Sequence, residues 1–410
     1  MQSRFNRLRS YDKDLFTALS DAAWRVESCL DLRASANHVS SQILDALGGS
    51  FDSGLSLMGR CEFEALAADR ARQLFNADYA CVTPGSVEQA ISSICDALLD
   101  LGDGILSVGW VGNGHALQAG KFVTAGAAFN CSLHDEVDPR GLDLDALERK
   151  MQLLRPRLLV VRVAGIGRGI DYLRLRAIAD KARAYLVVDF TLIAGMVAAS
   201  LCLSPLPFVD LAIASTGSTL RGPEGGMILA KANRPLQQML DAAAVERDPI
   251  LRISSGNLAA KALSLKEAMS PSFQSYQVQV LENVRAVAGA FSCRGYELLS
   301  CLDEGGPVLV GLAGRPPQSV GVEQVLRRSG ICMESGSWPG HGAETDYLRF
   351  GTAAITTRGL GPSHCAEIVG WICDILDNPG GIEVEAFVTR RITRVCARYP
   401  VYSEFPLIPF

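Results

Sequence analysis

Hydrophobic positions along this chain fall into short runs that alternate with longer amphipathic stretches. Apolar runs stand at Ile105–Trp110, Leu158–Val163, Tyr185–Asp189, Leu211–Ala214 and Gly226–Leu229. Runs this short and this continuous suit strands buried on both faces. Helix-period stretches such as Leu142–Leu154 and Leu173–Ala184 lie between several of them. The alternation predicts a mostly parallel sheet with helices on both faces. Upstream, the first 30 residues read as a helix exposed on one face, with Leu8, Phe16, Leu19, Ala23 and Val26 as its apolar positions. Glu62–Phe75 reads as a second helix, ended by Asn76-Ala77-Asp78.

Beyond residue 256 the period changes. Residues 257–291 read as a long helix or helix pair. Pro307–Leu312 and Tyr347–Gly351 then read as strands, and Val322–Ser329 and Ser363–Asp377 as helices. A basic helix over Arg390–Tyr402 is expected to end before Pro400. The expected organisation is an N-terminal helical arm over 1–40, a large α/β domain over 41–270 and a smaller α+β domain over 271–410.

Composition narrows the function classes. The chain has 410 residues, 48% hydrophobic and 20% charged, which excludes a disordered chain. A net charge of −5 gives no electrostatic reason to bind nucleic acid. No apolar stretch approaches the ~18 residues of a membrane span, and the charged start MQSRFNRLRSYDKDLF lacks a secretory apolar core. Twelve Cys form no Cys-x-x-Cys pair, and five His make no ligand cluster. This predicts a cytoplasmic protein with reduced thiols and no metal. Only seven of the 39 basic residues are Lys: Lys13, Lys121, Lys150, Lys181, Lys231, Lys261 and Lys266. Chemistry that needs an amine nucleophile has few candidates.

Ligands of open α/β sheets sit at the carboxyl ends of the strands. Polar residues gather at four such ends: Thr83–Ser86, Gly112–His115, Asp189 and Ser215–Thr219.

Seven segments carry a resemblance. They are ASANHVS (34–40), GRCEFEALAADRARQLFNADYACV (59–82), YLVVDFTLIAGMVAAS (185–200), STLRGPEGGMILAK (218–231), KALSLKEAMSPSFQSYQVQV (261–280), LRFGTAAITTRG (348–359) and RVCARYPVY (394–402). In order and spacing the chain resembles the serine hydroxymethyltransferases, nearly end to end. The resemblance implies the aspartate-aminotransferase-like type I pyridoxal-phosphate fold, with a mostly parallel seven-stranded sheet in the large domain. It also implies a homodimer and amino-acid or one-carbon chemistry.

That chemistry needs a Lys to form a Schiff base with the cofactor aldehyde. Where the resemblance places it, this chain has Ser218, with Gly217 at the neighbouring His position. The nearest Lys along the chain is Lys231, beyond the next strand, and Glu224 replaces the Arg of the following turn. Asp189 stands where the pyridine-nitrogen partner is expected, and it also suits a helix cap or a buried structural acid. Leu192 replaces the next His. The phosphate cup reads Ser86-Val87-Glu88-Gln89-Ala90, so a carboxylate enters an anion site at a helix start. Glu88 either occupies that phosphate position or is a solvated first-turn acid. Gly112 aligns with the stacking residue, and His115 with another family His, read as structural. The acid–base segment is shortened to 51–58 and has neither Tyr nor Glu. Arg349 aligns with the Arg that grips the substrate carboxylate, and Ser35 belongs to the same substrate set.

Three readings follow. The first is a pseudoenzyme that acts as partner or regulator, alone or with a heteromeric partner enzyme. The second is a repurposed enzyme of specialised amino-acid metabolism. It would bind an amino-acid-like or carboxylate ligand with non-covalent pyridoxal or pyridoxamine phosphate, or with no cofactor. The third is an active hydroxymethyltransferase, which Ser218 disfavours.

Overall fold

The computed structural model describes residues 9–48, 56–109, 120–124, 127–134, 137–138, 141–163, 169–251, 253–299, 305–315, 321–339 and 344–402. They form two compact units. One comprises Val39–Val278 with Leu299–Pro307, and the other Met1–His38, Gln279–Leu298 and Val308–Phe410.

The first unit is built on a sheet of eight strands. They are β1 (Tyr79–Cys81), β2 (Gly104–Val108), β3 (Gly120–Val123), β4 (Ala128–His134), β5 (Leu158–Arg162), β6 (Tyr185–Asp189), β7 (Leu211–Ser215) and β8 (Gly226–Ala230). Their order is β1-β8-β7-β6-β5-β2-β4-β3. The five central strands β7, β6, β5, β2 and β4 run parallel. β8 is antiparallel to both of its neighbours, and β3 is antiparallel to β4. The sequence reading expects seven strands; the eighth, β3, extends one edge. Its Phe122 pairs in register with Phe129 and is buried in the same core, which is what that edge strand gains.

Strand alternation divides the core in two. Leu158, Val160, Val187, Leu211 and Ile213 line one face, and the helix Val87–Leu98 packs there through Ala90, Ile91, Ile94, Cys95 and Leu98. Each such Ile or Leu contributes roughly 1.5–3 kcal/mol of burial. Leu159, Val161, Leu186, Val188, Ala212 and Ala214 line the opposite face. The helices Ser56–Phe75 and Ser255–Ala268 pack against each other, and Pro271 opens the next helix, so the expected long helix is a pair.

The second unit holds an antiparallel sheet of β9 (Glu297–Leu298), β10 (Val308–Gly311), β11 (Glu334–Pro339) and β12 (Glu344–Phe350), in the order β9-β10-β12-β11. Helices Pro362–Asp377 and Ile382–Arg398 follow. The last helix starts well before the expected Arg390, directly after the Gly380-Gly381 turn. The N-terminal helix spans Lys13–Ser28, capped by Asp12, which accepts from the Leu15 N–H at 2.9 Å. Its expected apolar face is only partly correct. Phe16 and Ala23 are half-buried and Glu27 is buried, whereas Leu19 and Val26 are exposed.

Candidate functional site

The turn between β7 and β8 is tightly built. The Thr216 N–H donates to the Gly225 carbonyl at 2.8 Å, and the Gly222 N–H to the Thr216 carbonyl at 2.9 Å. The Thr216 hydroxyl donates to the Pro223 carbonyl at 2.7 Å. Within this turn Ser218 is buried and holds φ 48°, the left-handed region that a non-glycine residue enters at a cost of about 1–2 kcal/mol. Single-residue strain of this kind persists where surroundings over-determine it, and functional sites are where it concentrates.

Asp189 ends β6. Its Oδ1 accepts from the Thr191 N–H at 3.0 Å and from the Thr191 hydroxyl at 2.6 Å, closing the short turn that follows the strand. Full burial pushes its carboxyl pKa up, Thr191 and Arg162 pull it back down, and the Glu88 charge adds to the rise. The Thr219 hydroxyl donates to the Thr191 carbonyl at 3.0 Å, so the Ser218 turn and the Asp189 turn are stitched together. The Gly226 N–H donates to the Pro84 carbonyl at 2.9 Å, which joins the Thr83–Ser86 turn to the same edge. Ser86 is the N-cap of its helix: its Oγ accepts from the Gln89 N–H at 3.2 Å. Glu88 lies in the first turn of that helix. Ser86, Glu88, Asp189 and Ser218, all expected from the sequence, therefore gather at one edge of the sheet.

Two cations at this edge escape the sequence reading. Lys261 looks like one more helix lysine, but it is 0% exposed. Its Nζ donates to the carbonyls of Val82, Pro84 and Gly226 at 2.7, 2.7 and 3.1 Å. A Cβ on Gly225 would stand 2.5 Å from that Nζ, so the turn approaches the amine only because residue 225 is glycine. Burial lowers the amine to about 7, while the three carbonyls favour the ammonium. Lys231 instead reaches the Asn76 carbonyl. The second cation, Arg162, closes the otherwise apolar strand β5. It is a direct register partner of Asp189, and so shares its face of the sheet. A charge inside a five-residue buried strand is the one signal that could have found it.

The remaining expected residues are placed as follows. Leu192 is buried. Glu224 is exposed, and the guanidinium of Arg221 lies 4.8 Å from the centre of the Tyr276 ring. Gly112, His115 and residues 51–55 lie outside the described residues, as do the side chains of 56–58. In the other unit, Arg349 is engaged by a carboxylate of this same chain. Its Nε lies 2.5 Å from Glu334 Oε2, and the Ser35 hydroxyl donates to Glu334 Oε1 at 2.9 Å. Glu334 and Arg349 are directly opposed in β11 and β12. Among the described residues no group of His, Cys, Asp and Glu could hold a metal ion.

The profile of the serine hydroxymethyltransferases matches residues 8–372. The chain belongs to the serine hydroxymethyltransferase family. It is 37% identical to serine hydroxymethyltransferase 1 of Pseudomonas syringae pv. tomato, over 98% of this chain and 100% of that protein. The same identity and coverage hold for serine hydroxymethyltransferase 1 of Pseudomonas aeruginosa and serine hydroxymethyltransferase 2 of Pseudomonas fluorescens. The family has the type I pyridoxal-phosphate fold, and the mixed, mostly parallel sheet with its many helices is that architecture. The family uses pyridoxal phosphate. Among the described residues no helix is long and apolar enough to cross a membrane.

Proposed function

We propose that this chain is a pseudoenzyme of the serine hydroxymethyltransferase family, a scaffold without internal-aldimine chemistry that serves as partner or regulator. The observation that carries this reading is the pair Ser218 and Lys261. A hydroxyl occupies the strained turn at the sheet edge, and the amine packed behind that turn is committed to three carbonyls. A hydroxyl cannot form an imine with an aldehyde. These residues do not fit pyridoxal phosphate held as an aldimine. Other losses point the same way. Glu88 opposes a phosphate at the start of its helix, Leu192 offers no proton transfer, and Glu334 already engages the Nε of Arg349.

A second reading keeps the edge as a ligand site, in a repurposed enzyme with non-covalent pyridoxal or pyridoxamine phosphate or with no cofactor. The retained, buried Asp189 favours it. A homodimer is the expected assembly in both readings. The exposed Leu15, Leu19, Trp24 and Val26 of the N-terminal helix support self-association, and light scattering reads it. A reducing cytoplasmic setting suits cysteines that form no disulfide among the described residues.

The test is borohydride reduction of the purified chain with pyridoxal phosphate, followed by peptide mass analysis. The expected product carries no pyridoxyl-lysine, and the protein is colourless. A stoichiometric adduct on one lysine, with serine–glycine interconversion, sinks the proposal. The change Ser218→Lys is expected not to restore that interconversion, because Leu192, Glu88 and Glu334 remain. Recovery by this single change would mean that those three matter little.

A further inference from the structure

We propose that Arg162 is the anchor of a binding site for a small oxyanion, a carboxylate or a phosphate group, at the carboxyl edge of the central sheet. Arg162 is 5% exposed, yet its Nε has no hydrogen-bond partner among the described residues. Asp189 attracts it through charge, but neither Asp189 nor Glu88 accepts a hydrogen bond from its Nε. Asp189, its register partner, spends Oδ1 on the Thr191 N–H and hydroxyl. Glu88 belongs to the first turn of its helix and does not bond the Arg162 Nε. Burial raises the Asp189 carboxyl against the downward pull of Thr191 and Arg162.

The backbone is closely fitted where this side chain leaves the strand. Gly109 has φ +125°, and a Cβ there would stand 2.9 Å from both Cβ and the carbonyl oxygen of Arg162. The strand end therefore passes close over residue 109 only because that residue is glycine. A buried guanidinium is costly unless its donors are satisfied. Its planar fork matches the paired oxygens of a carboxylate or a phosphate. The sheet edge is also where open α/β folds receive ligands. This inference rests on the reading above only in that no cofactor ring occupies the edge.

The test uses the full chain with no pyridoxal phosphate present. Inorganic phosphate and propionate are titrated separately at constant ionic strength, with chloride as the balancing ion, by calorimetry and thermal melting. One of the two is expected to bind saturably and raise the melting temperature. A response to phosphate alone assigns a phosphate group, and a response to propionate alone a carboxylate. Arg162→Met is expected to weaken binding about tenfold or more, since a charge-assisted hydrogen bond is lost. Arg162→Met should also melt above the wild type in chloride alone, because it removes a buried, incompletely bonded charge. Arg162→Lys keeps part of the binding. The proposal is overturned if neither anion binds saturably, or if Arg162→Met responds as the wild type does. It is equally overturned if Arg162→Met melts lower or fails to fold, since the guanidinium would then be satisfied within the chain. Borohydride labelling is unaffected by any of these outcomes, so the two proposals fail separately.

Discussion

Arg358 and Arg162 are equally buried, each 5% exposed, and their surroundings are opposites. Arg358 Nη1 donates to the carbonyls of Glu27 and Cys396 at 3.1 and 3.5 Å. Its Nη2 donates to the carbonyls of Val26 and Glu27, both at 3.0 Å, and meets Glu27 Oε2 at 3.4 Å. The Glu27 carboxylate in turn accepts from the N–H groups of Val401 and Tyr402 at 2.9 and 2.7 Å. The cation, its counter-ion and the carbonyls at the end of a helix form one closed network. Arg162 has a strand end, a neighbour turned toward Thr191 and a bare Nε. Burial alone therefore says little about the role of an arginine. A cation whose donors are consumed by its own backbone holds the fold, and one whose donors are not consumed is set for something that arrives.

Four substitutions test this contrast along one scale, and Arg162→Met, with its expected gain in stability, marks one end. The largest loss belongs to Arg358→Ala. It strands a buried carboxylate and four donated carbonyl contacts, and is expected to cost about 3–5 kcal/mol in urea unfolding. A melt matching the wild type would remove the structural side of the comparison.

Lys261→Met comes next. It removes one donor from each of three buried carbonyls, of which Pro84 keeps the Gly226 N–H, at an expected cost of about 2 kcal/mol at pH 6. The pH dependence has a definite sign. Burial lowers the folded amine to about 7, well below its ordinary value of about 10.4. Between those limits the unfolded chain binds a proton that the folded chain has released. The stability of the wild type relative to Lys261→Met should therefore rise from about pH 7 to about pH 10. A flat difference would show that the carbonyls keep the ammonium charged throughout.

The smallest effect is expected from Glu334→Gln. The ion pair it breaks is part-exposed, with side chains 21% and 22% accessible, so stability should move by less than about 1 kcal/mol. Its informative readout is ligand binding. With Glu334 neutral the ion pair to Arg349 is released, and propionate should gain a weak site that Arg349→Gln abolishes. No gain would mean that Glu334 and Arg349 do not compete with a carboxylate.

The strands of the parallel core were legible because strands buried on both faces leave unbroken apolar runs, as at Leu158–Val163 and Tyr185–Asp189. That same continuity concealed Arg162, one charge at the end of a run read as hydrophobic. β1, β3 and β4 were not read: in β4 buried Phe129, Cys131 and His134 are interrupted by exposed or half-buried residues, with exposed Asn130 between the first two. Lys261 was invisible for another reason. Its helix buries residues on most of its circumference, so no polar stripe separates an inward lysine from an outward one. Asp189 and Ser218 could be named from motif alone. The pairing of Glu334 with Arg349 could not, since it depends on the register of two strands.

The Glu27 network sets an order of events during synthesis. The helix Lys13–Ser28 emerges early, yet the groups that fix its end, Arg358 and the N–H groups of Val401 and Tyr402, are made more than 300 residues later. The stretch Val39–Val278, which carries the eight-stranded sheet, is nearly continuous in the chain and can fold while the ribosome is still working. The early helix must wait, its exposed Leu15 and Trp24 within reach of whatever holds nascent chains, until the last helix has left the exit tunnel.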